Sequence, residues 1–154
     1  MNARLFMGAD PGHSGAIAFY CPLTPDKVSA EDTPLVAGEV NTAELARIIK
    51  VYKPDFAIVE RVASRPGQGV HSVFKFGMAY GQLLGVIVAL GVPHQLVTPP
   101  TWKRHYKLIG MDKEASRARA LELWPGRAEL FKRKKDDGRA EAALLARYGS
   151  DVLN

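Results

Sequence analysis

The chain has 154 residues, of which 47% are hydrophobic and 24% charged, a composition typical of globular proteins that excludes disordered, collagen-like and coiled-coil chains. This length predicts one domain over residues 1–154 and excludes an enzyme built from two lobes. The net charge of +5 comes from residues 98–154, where thirteen basic side chains accompany eight acidic ones, so this third of the chain either binds a polyanion or has a basic solvated surface.

The first 60 residues predict four strands and one helix. Each strand is a short apolar run that ends at a polar residue or a turn, and the helix shows apolar residues three and four apart after Asn41, a good N-cap. The strands are predicted over residues 4–9, 15–20, 35–40 and 56–59, and the helix over residues 42–52. Asp10 follows the first strand, and Glu60 follows the fourth.

The remaining residues predict a fifth strand and four helices. A loop rich in Gly, Pro and Ser, residues 64–69, precedes the longest helix. The helices are predicted over residues 72–90, 101–106, 113–124 and 137–148, and the strand over residues 95–98. This order predicts an α/β fold with a mixed five-stranded sheet flanked by helices, antiparallel at its beginning and parallel after it.

Two acids lie at the ends of apolar strands. Because ligands bind at the carboxyl ends of parallel strands, Asp10 and Glu60 are expected to meet at one edge of the sheet if their strands are neighbours. Carboxylates held that close repel each other, and such an arrangement usually persists because a cation neutralises it.

A second pair of acids begins the last predicted helix. Asp137 and Glu141 are four residues apart, which places both on one helix face. Taken alone, this segment favours helix capping by Asp136 or Asp137, with Glu141 as a surface residue. Together with Asp10 and Glu60, it favours a metal site. Four oxygen ligands without His or Cys suit Mg²⁺ or Mn²⁺, and two such ions can catalyse phosphodiester hydrolysis.

Four segments resemble the RuvC-type Holliday junction resolvases. They are GADPGHSGAIAFY, FAIVERV, SVFKFGMAYGQLLGVIVAL and KKDDGRAEAALLARYG, in the order and spacing of that family over nearly the whole chain. The form DDGRAE is most similar to the compact phage and viral members. The resemblance implies a ribonuclease H-like fold, a homodimer, and the cutting of four-way DNA junctions by paired nicks that leave 5′ phosphates and 3′ hydroxyls.

The resemblance also assigns residues. It implies that Asp10, Glu60, Asp137 and Glu141 are the catalytic acids and the ligands of Mg²⁺, for which Mn²⁺ can substitute. Many bacterial members have an acid where Gly138 stands, so Asp136 remains an alternative to Asp137, although the four-residue step to Glu141 favours Asp137.

A further departure concerns the centre of the junction. Bacterial relatives have an aromatic wedge where this chain has Ala63. Base unstacking is therefore expected to use His71 or Phe74 or to be weaker, and other branched DNA is a plausible substrate.

Seven basic residues are candidate DNA contacts. Arg61 and Arg65 belong to a segment that has no acid between residues 61 and 80, and the others interleave with aromatic residues, lie in the long helix or precede the acid pair. The seven are Arg61, Arg65, Lys75, Lys103, Lys107, Lys134 and Lys135. For Lys75 a snorkelling surface lysine is an equal alternative, and Trp102 and Tyr106 are expected to be core residues.

Other classes are less favoured. A kinase-like ATPase of the actin fold needs a second lobe, and a non-catalytic DNA-binding module would have lost its acids. The longest apolar stretch, Leu83–Leu90, is too short for a membrane span, so we expect a chain without membrane contact. The absence of a signal-type apolar region near the N-terminus predicts a cytoplasmic location. The single Cys21 can form neither an internal disulfide nor a cysteine zinc site.

Overall fold

The computed structural model describes residues 4–153 and contains a five-stranded sheet between two layers of helices. The strands are β1 (Phe6–Asp10), β2 (Ala16–Tyr20), β3 (Ser29–Asp32), β4 (Leu35–Val36), β5 (Glu39–Val40), β6 (Phe56–Glu60) and β7 (His94–Val97). The sheet has the order β3-β2-β1-β6-β7, and β4 and β5 form a separate hairpin. Strand β1 pairs antiparallel with β2 and parallel with β6, which confirms the predicted mixed sheet.

Within the described residues, five helices cover the two faces of the sheet. They are α1 (Thr42–Tyr52), α2 (Val70–Ala89), α3 (Pro99–His105), α4 (Lys113–Leu123) and α5 (Asp137–Leu153), with short 3-10 turns at Pro125–Leu130 and Lys134–Asp136. Helices α1 and α2 pack on one face, and α3, α4 and α5 form the core of the other. Because side chains alternate along a strand, neighbouring residues of β2 belong to different cores, Ala16 and Ala18 to one and Ile17 and Phe19 to the other.

The third predicted strand is wrong. Residues 35–40 form the small hairpin of β4 and β5, because Ala37 and Gly38 both have positive φ angles, 51° and 78°, and turn the chain back on itself. The third strand of the main sheet is β3, an edge strand in which only Ala30 is buried. Its sequence, SAED, has no apolar run from which a strand could be predicted.

The helix predicted over residues 42–52 is confirmed with both of its ends. The Asn41 side chain accepts a hydrogen bond from the backbone N–H of Glu44, at 3.1 Å, and so caps the first turn. Lys53 adopts a left-handed conformation before Pro54, which ends the helix.

Helix α5 lies unusually close to the centre of the sheet. A methyl group on Gly8 of β1 would collide with the carbonyl oxygen of Ala142 and the backbone nitrogen of Ala146. Only a residue without a side chain therefore allows this approach. The contact fixes α5 beside β1, two residues before β1 ends at Asp10.

Helix α2 leaves much of its apolar surface uncovered. Val70 is 88% exposed, Phe74 71% and Val88 60%, and the three glycines Gly77, Gly81 and Gly85 are exposed between them. With 20 residues and a mean hydropathy of 1.4, α2 is also long and apolar enough to cross a membrane. Length and composition alone do not distinguish that role from a helix that packs against another protein surface, so the absence of membrane contact stays a prediction.

Candidate active site

Two strands bring the first two acids to one edge of the sheet. Asp10 is the last residue of β1, and Glu60 is the last residue of β6. The strands are parallel neighbours, with Ala9 opposite Val59, so both end at the same edge. Side chains two residues apart in a strand point to the same face of the sheet. Asp10 therefore points to the same face as Gly8, and Glu60 to the same face as Ile58, which is the face that α5 covers.

Helix α5 supplies the third acid. Glu141 precedes Ala142, whose carbonyl oxygen lies against Gly8. Glu141 is only 8% exposed. One carboxylate oxygen each from Asp10, Glu60 and Glu141 lie within 4.8 Å of one another. The predicted convergence of these three acids is therefore present in the structure, although they are separated by 50 and 81 residues in the sequence.

The three carboxylates destabilise one another's charged forms. Burial raises the pKa of Asp10 well above its ordinary value, and the negative charges of Glu141 and Glu60 raise it further. Burial, with the charge of Glu60, raises the pKa of Glu141 to about 7. Burial also raises the pKa of Glu60, against the effect of a hydrogen bond from Trp102. A divalent cation bound among the three acids would offset this repulsion, because its positive charge favours the ionised form of each carboxylate.

The donor atoms fit a hard cation. The cluster offers carboxylate oxygens and contains no His or Cys, which is the ligand set of Mg²⁺ or Mn²⁺ and is unsuited to zinc. Three acids also leave coordination positions for water or a phosphate oxygen, as is usual for Mg²⁺ bound with a phosphate substrate. The residues present therefore fit the predicted metal.

The structure separates the roles of the adjacent Asp136 and Asp137. Asp136 is 1% exposed and accepts hydrogen bonds from the backbone and the guanidinium of Arg133, the shortest at 2.8 Å. Burial would raise the pKa of Asp136, but these hydrogen bonds lower it below its ordinary value. Asp137 instead pairs with Lys113 at 3.1 Å and contributes to the raised pKa of Glu141. Asp136 thus stabilises the start of α5, whereas Asp137 borders the acid cluster outside the group of three.

The surroundings of Gly138 explain why this position carries no acid in this chain. A Cβ atom there would lie 2.7 Å from the Ser14 carbonyl oxygen and 3.4 Å from Asp10 Oδ2. An acid at this position would reach Asp10 but would displace the turn between β1 and β2. In this chain α5 approaches that turn so closely that no side chain fits at position 138.

Two residues beside the cluster were not among the predicted site residues. The ammonium of Lys113 lies close enough to lower the pKa of Asp10, Glu60 and Glu141, and only its place at the start of a helix could have drawn attention to it. Trp102 is fully buried, as predicted for a core residue, but its indole Nε1 donates a 2.7 Å hydrogen bond to Glu60 Oε2. The contact of Trp102 could have been expected only from the general rule that a buried indole N–H usually finds a hydrogen-bond acceptor.

The seven predicted DNA-contacting cations keep their charges available. Within residues 4–153 none of them forms a salt bridge, although nine other basic or histidine side chains do. Lys103 and Arg65 lie near enough to Glu60 to lower its pKa. Arg61 directly follows β6, and Lys134 and Lys135 lie in the 3-10 turn before α5, so these three are also near the edge that carries the acids. Lys75 and Lys107 lie elsewhere, in α2 and after α3.

Lys75 lines a cavity against the turn that follows β1. The cavity has a volume of about 430 Å³ and lies between the turn after β1, residues 12–14, and the first turns of α2, where His71 also lines it. Ala63 is exposed, and Phe74, one of the two predicted replacements for the wedge, presents most of its ring to solvent. Which residue unstacks bases stays a prediction.

Comparison with known sequences gives one informative relative. No family model matches the chain. The chloroplastic Holliday junction resolvase MOC1 of Chlamydomonas reinhardtii is 31% identical over 94 residues, which are 60% of this chain and 11% of that protein. The chain therefore spans only a small part of the length of this relative.

Solved structures share the fold over nearly the whole chain. RuvC of Thermus thermophilus, in complex with a Holliday junction, has a TM-score of 0.67 at 17% identity and covers 98% of this chain and 97% of its own. The fowlpox virus resolvase, solved with junction DNA, has a TM-score of 0.59 at 17% identity over 97% and 99% of the two chains. The yeast mitochondrial resolvase Ydc2 has 0.57 at 15% identity over 93% and 77%. The predicted ribonuclease H-like fold, with its mixed five-stranded sheet flanked by helices, is confirmed.

Proposed function

We propose that this protein is a divalent-metal-dependent endonuclease that cuts four-way DNA junctions. The observation that carries the proposal is the meeting of Asp10, Glu60 and Glu141 within 4.8 Å at one sheet edge, in a fold shared with junction resolvases. The Chlamydomonas relative and Ydc2 are named as Holliday junction resolvases, and RuvC and the fowlpox virus resolvase were solved with a Holliday junction as substrate, which supports the same substrate class.

The chain's own residues divide the work. Asp10, Glu60 and Glu141 would hold Mg²⁺ or Mn²⁺, with Asp137 next to them at the start of α5. The chemistry that a metal would supply there is activation of a water molecule and stabilisation of the leaving oxygen of the phosphodiester. Lys113 balances the charge of the acids and offers an ammonium group to the incoming phosphate. Hydrolysis is expected to be direct, without a covalent enzyme intermediate, because these carboxylates serve as metal ligands in the proposal.

The unpaired cations hold the DNA backbone. Their contacts with phosphate release counterions, so binding weakens as salt increases. Lys103→Ala and Lys135→Ala are each expected to lower the slope of log affinity against log salt by about 1. Lys50→Ala, on α1 away from the sheet edge, is the matched control and should leave the slope unchanged.

An Asp10→Asn variant tests the proposed chemistry. End-labelled four-way, forked and linear duplex DNA are incubated with Mg²⁺, and the products are mapped on both strands. The unmodified protein should nick four-way junctions in pairs, and Asp10→Asn should cut nothing while binding junctions equally or more tightly, because a negative charge near the phosphate is removed. Asp26→Asn, in an exposed loop, is the control. Cleavage retained by Asp10→Asn contradicts the proposal.

We infer that the protein acts as a homodimer formed through α2. The exposed positions Val70, Phe74, Gly77, Gly81, Gly85 and Val88 follow one another at intervals of three or four residues, the spacing at which two helices pack along a seam. Glycines in the middle allow close approach, and apolar side chains at the ends provide buried area. A twofold axis would also place two active sites on one junction, as paired nicks require.

The α2 face is tested by Gly81→Leu. A Cβ atom at Gly81 meets nothing within 4 Å, so the variant should fold as the parent does while its side chain blocks a second helix. Light scattering coupled to size exclusion should give a dimer for the parent and a monomer for Gly81→Leu. Ala118→Leu, on the exposed side of α4, adds the same group elsewhere and should remain dimeric. A parent protein that is monomeric at micromolar concentration contradicts this inference.

A further inference from the structure

The Glu60 carboxylate is held by one side chain of α3. The indole Nε1 of Trp102 donates to Glu60 Oε2 at 2.7 Å, and both side chains are buried. Trp102 is the only donor to this carboxylate among the side-chain hydrogen bonds of residues 4–153. A carboxylate at the end of a strand rotates about its side-chain bonds unless a partner fixes it, so this hydrogen bond restricts the direction in which its remaining lone pairs point.

The indole is itself held in place. Trp102 has no exposed surface and packs edge to face against Tyr106, with ring centroids 6.5 Å apart. The hydroxyl of Tyr106 donates a 2.8 Å hydrogen bond to the carbonyl of Leu144 in α5, the helix that carries Glu141. Trp102 is therefore fixed relative to two of the three acids, Glu60 and Glu141.

We propose that Trp102 is a positioning residue that orients Glu60 for metal binding. This inference rests on the proposed function, because it concerns the metal site of that function. The indole N–H favours the charged form of a buried carboxylate and aims it at the space shared with Asp10 and Glu141. Partners that orient metal ligands contribute about 10- to 100-fold to metal affinity.

The chain offers a matched control in its second tryptophan. Trp124 is also fully buried and belongs to the same apolar core, but its Nε1 has no hydrogen-bond partner among residues 4–153. Trp102→Phe and Trp124→Phe remove the same group from equally buried positions. Only the first removes a hydrogen bond to a metal ligand, so a difference between the two variants isolates that bond from loss of packing.

The test measures Mn²⁺ affinity by electron paramagnetic resonance, without DNA, on the full chain. Trp102→Phe should weaken Mn²⁺ binding about 10- to 100-fold, and Trp124→Phe should match the parent within about twofold. In cleavage assays the Mg²⁺ concentration for half-maximal rate should rise in Trp102→Phe, with the rate recovering at high Mg²⁺. Equal Mn²⁺ affinity in the parent and both variants overturns the positioning role while leaving the metal site intact. A parent that binds no Mn²⁺ overturns the metal site as well.

A second variant distinguishes loss of the hydrogen bond from misfolding of the core. The chain has only two tryptophans, so in the Trp124→Phe background benzothienylalanine can replace Trp102 alone during expression. This analogue has the shape of tryptophan with sulfur in place of the N–H, so the core keeps its packing. Its Mn²⁺ affinity should fall as in Trp102→Phe. Unchanged affinity in this isosteric variant overturns the proposal.

Discussion

Replacing Glu141 by Gln should stabilise the metal-free protein at alkaline pH. Burial and the neighbouring carboxylates raise the pKa of Glu141 from its ordinary 4.5 to about 7. Because the pKa is higher in the folded state, the protein loses stability as pH rises from the unfolded-state value through the folded-state value. Gln has nearly the same shape and no charge, so the variant escapes this loss.

The size of the effect follows from the shift. At about 1.4 kcal/mol per pKa unit, a shift from 4.5 to about 7 corresponds to roughly 3 kcal/mol at pH 8, where the folded protein must ionise this group. At pH 5 the folded state keeps Glu141 protonated, and the advantage of the variant should shrink to under about 1 kcal/mol. A divalent ion should reverse the order at pH 8, because it binds the parent cluster more tightly.

Urea unfolding in EDTA at pH 5 and pH 8, repeated with Mg²⁺, measures all of these differences. Glu129→Gln is the control, because Glu129 is exposed and pairs with Arg127 only at 3.8 Å, so its effect should stay within about 0.5 kcal/mol at both pH values. If Glu141→Gln is less stable than the parent at pH 8 in EDTA, or if its advantage is the same at both pH values, the described electrostatics of the cluster are wrong.

Two further predictions concern the elements that carry the acids. Gly8→Ala should cost about 2–3 kcal/mol in urea unfolding, because the methyl group forces α5 away from β1, whereas Gly126→Ala, where an added Cβ meets nothing within 4 Å, should change stability by less than about 0.5 kcal/mol. Asp136→Asn should cost about 1.5–3 kcal/mol by removing the charged partner of Arg133, while Asp137→Asn should keep the stability of the parent and lower the rate of junction cleavage. A cleavage defect in Asp136→Asn without loss of stability would show that the two roles are exchanged.

Local patterns predicted the elements that have strong local causes. The helix over residues 42–52 was predicted with both ends because an N-cap and a proline mark them in the sequence. The strands that end at Asp10 and Glu60 were predicted because strands buried on both faces are continuous apolar runs. Strand β3 was missed because an edge strand with one buried side chain has no such run and depends on pairing with β2.

The site shows the same division. The sequence by itself determined which acids are available, because carboxylates at the ends of apolar strands and one turn into a helix are visible in the order of residues. Only the tertiary structure decided that Glu141 joins Asp10 and Glu60, that Asp136 binds Arg133, and that Trp102 donates to Glu60. These three outcomes depend on the close packing of α5 and α3 against the sheet, and distances between segments so far apart in the chain are set by that packing and by no local pattern.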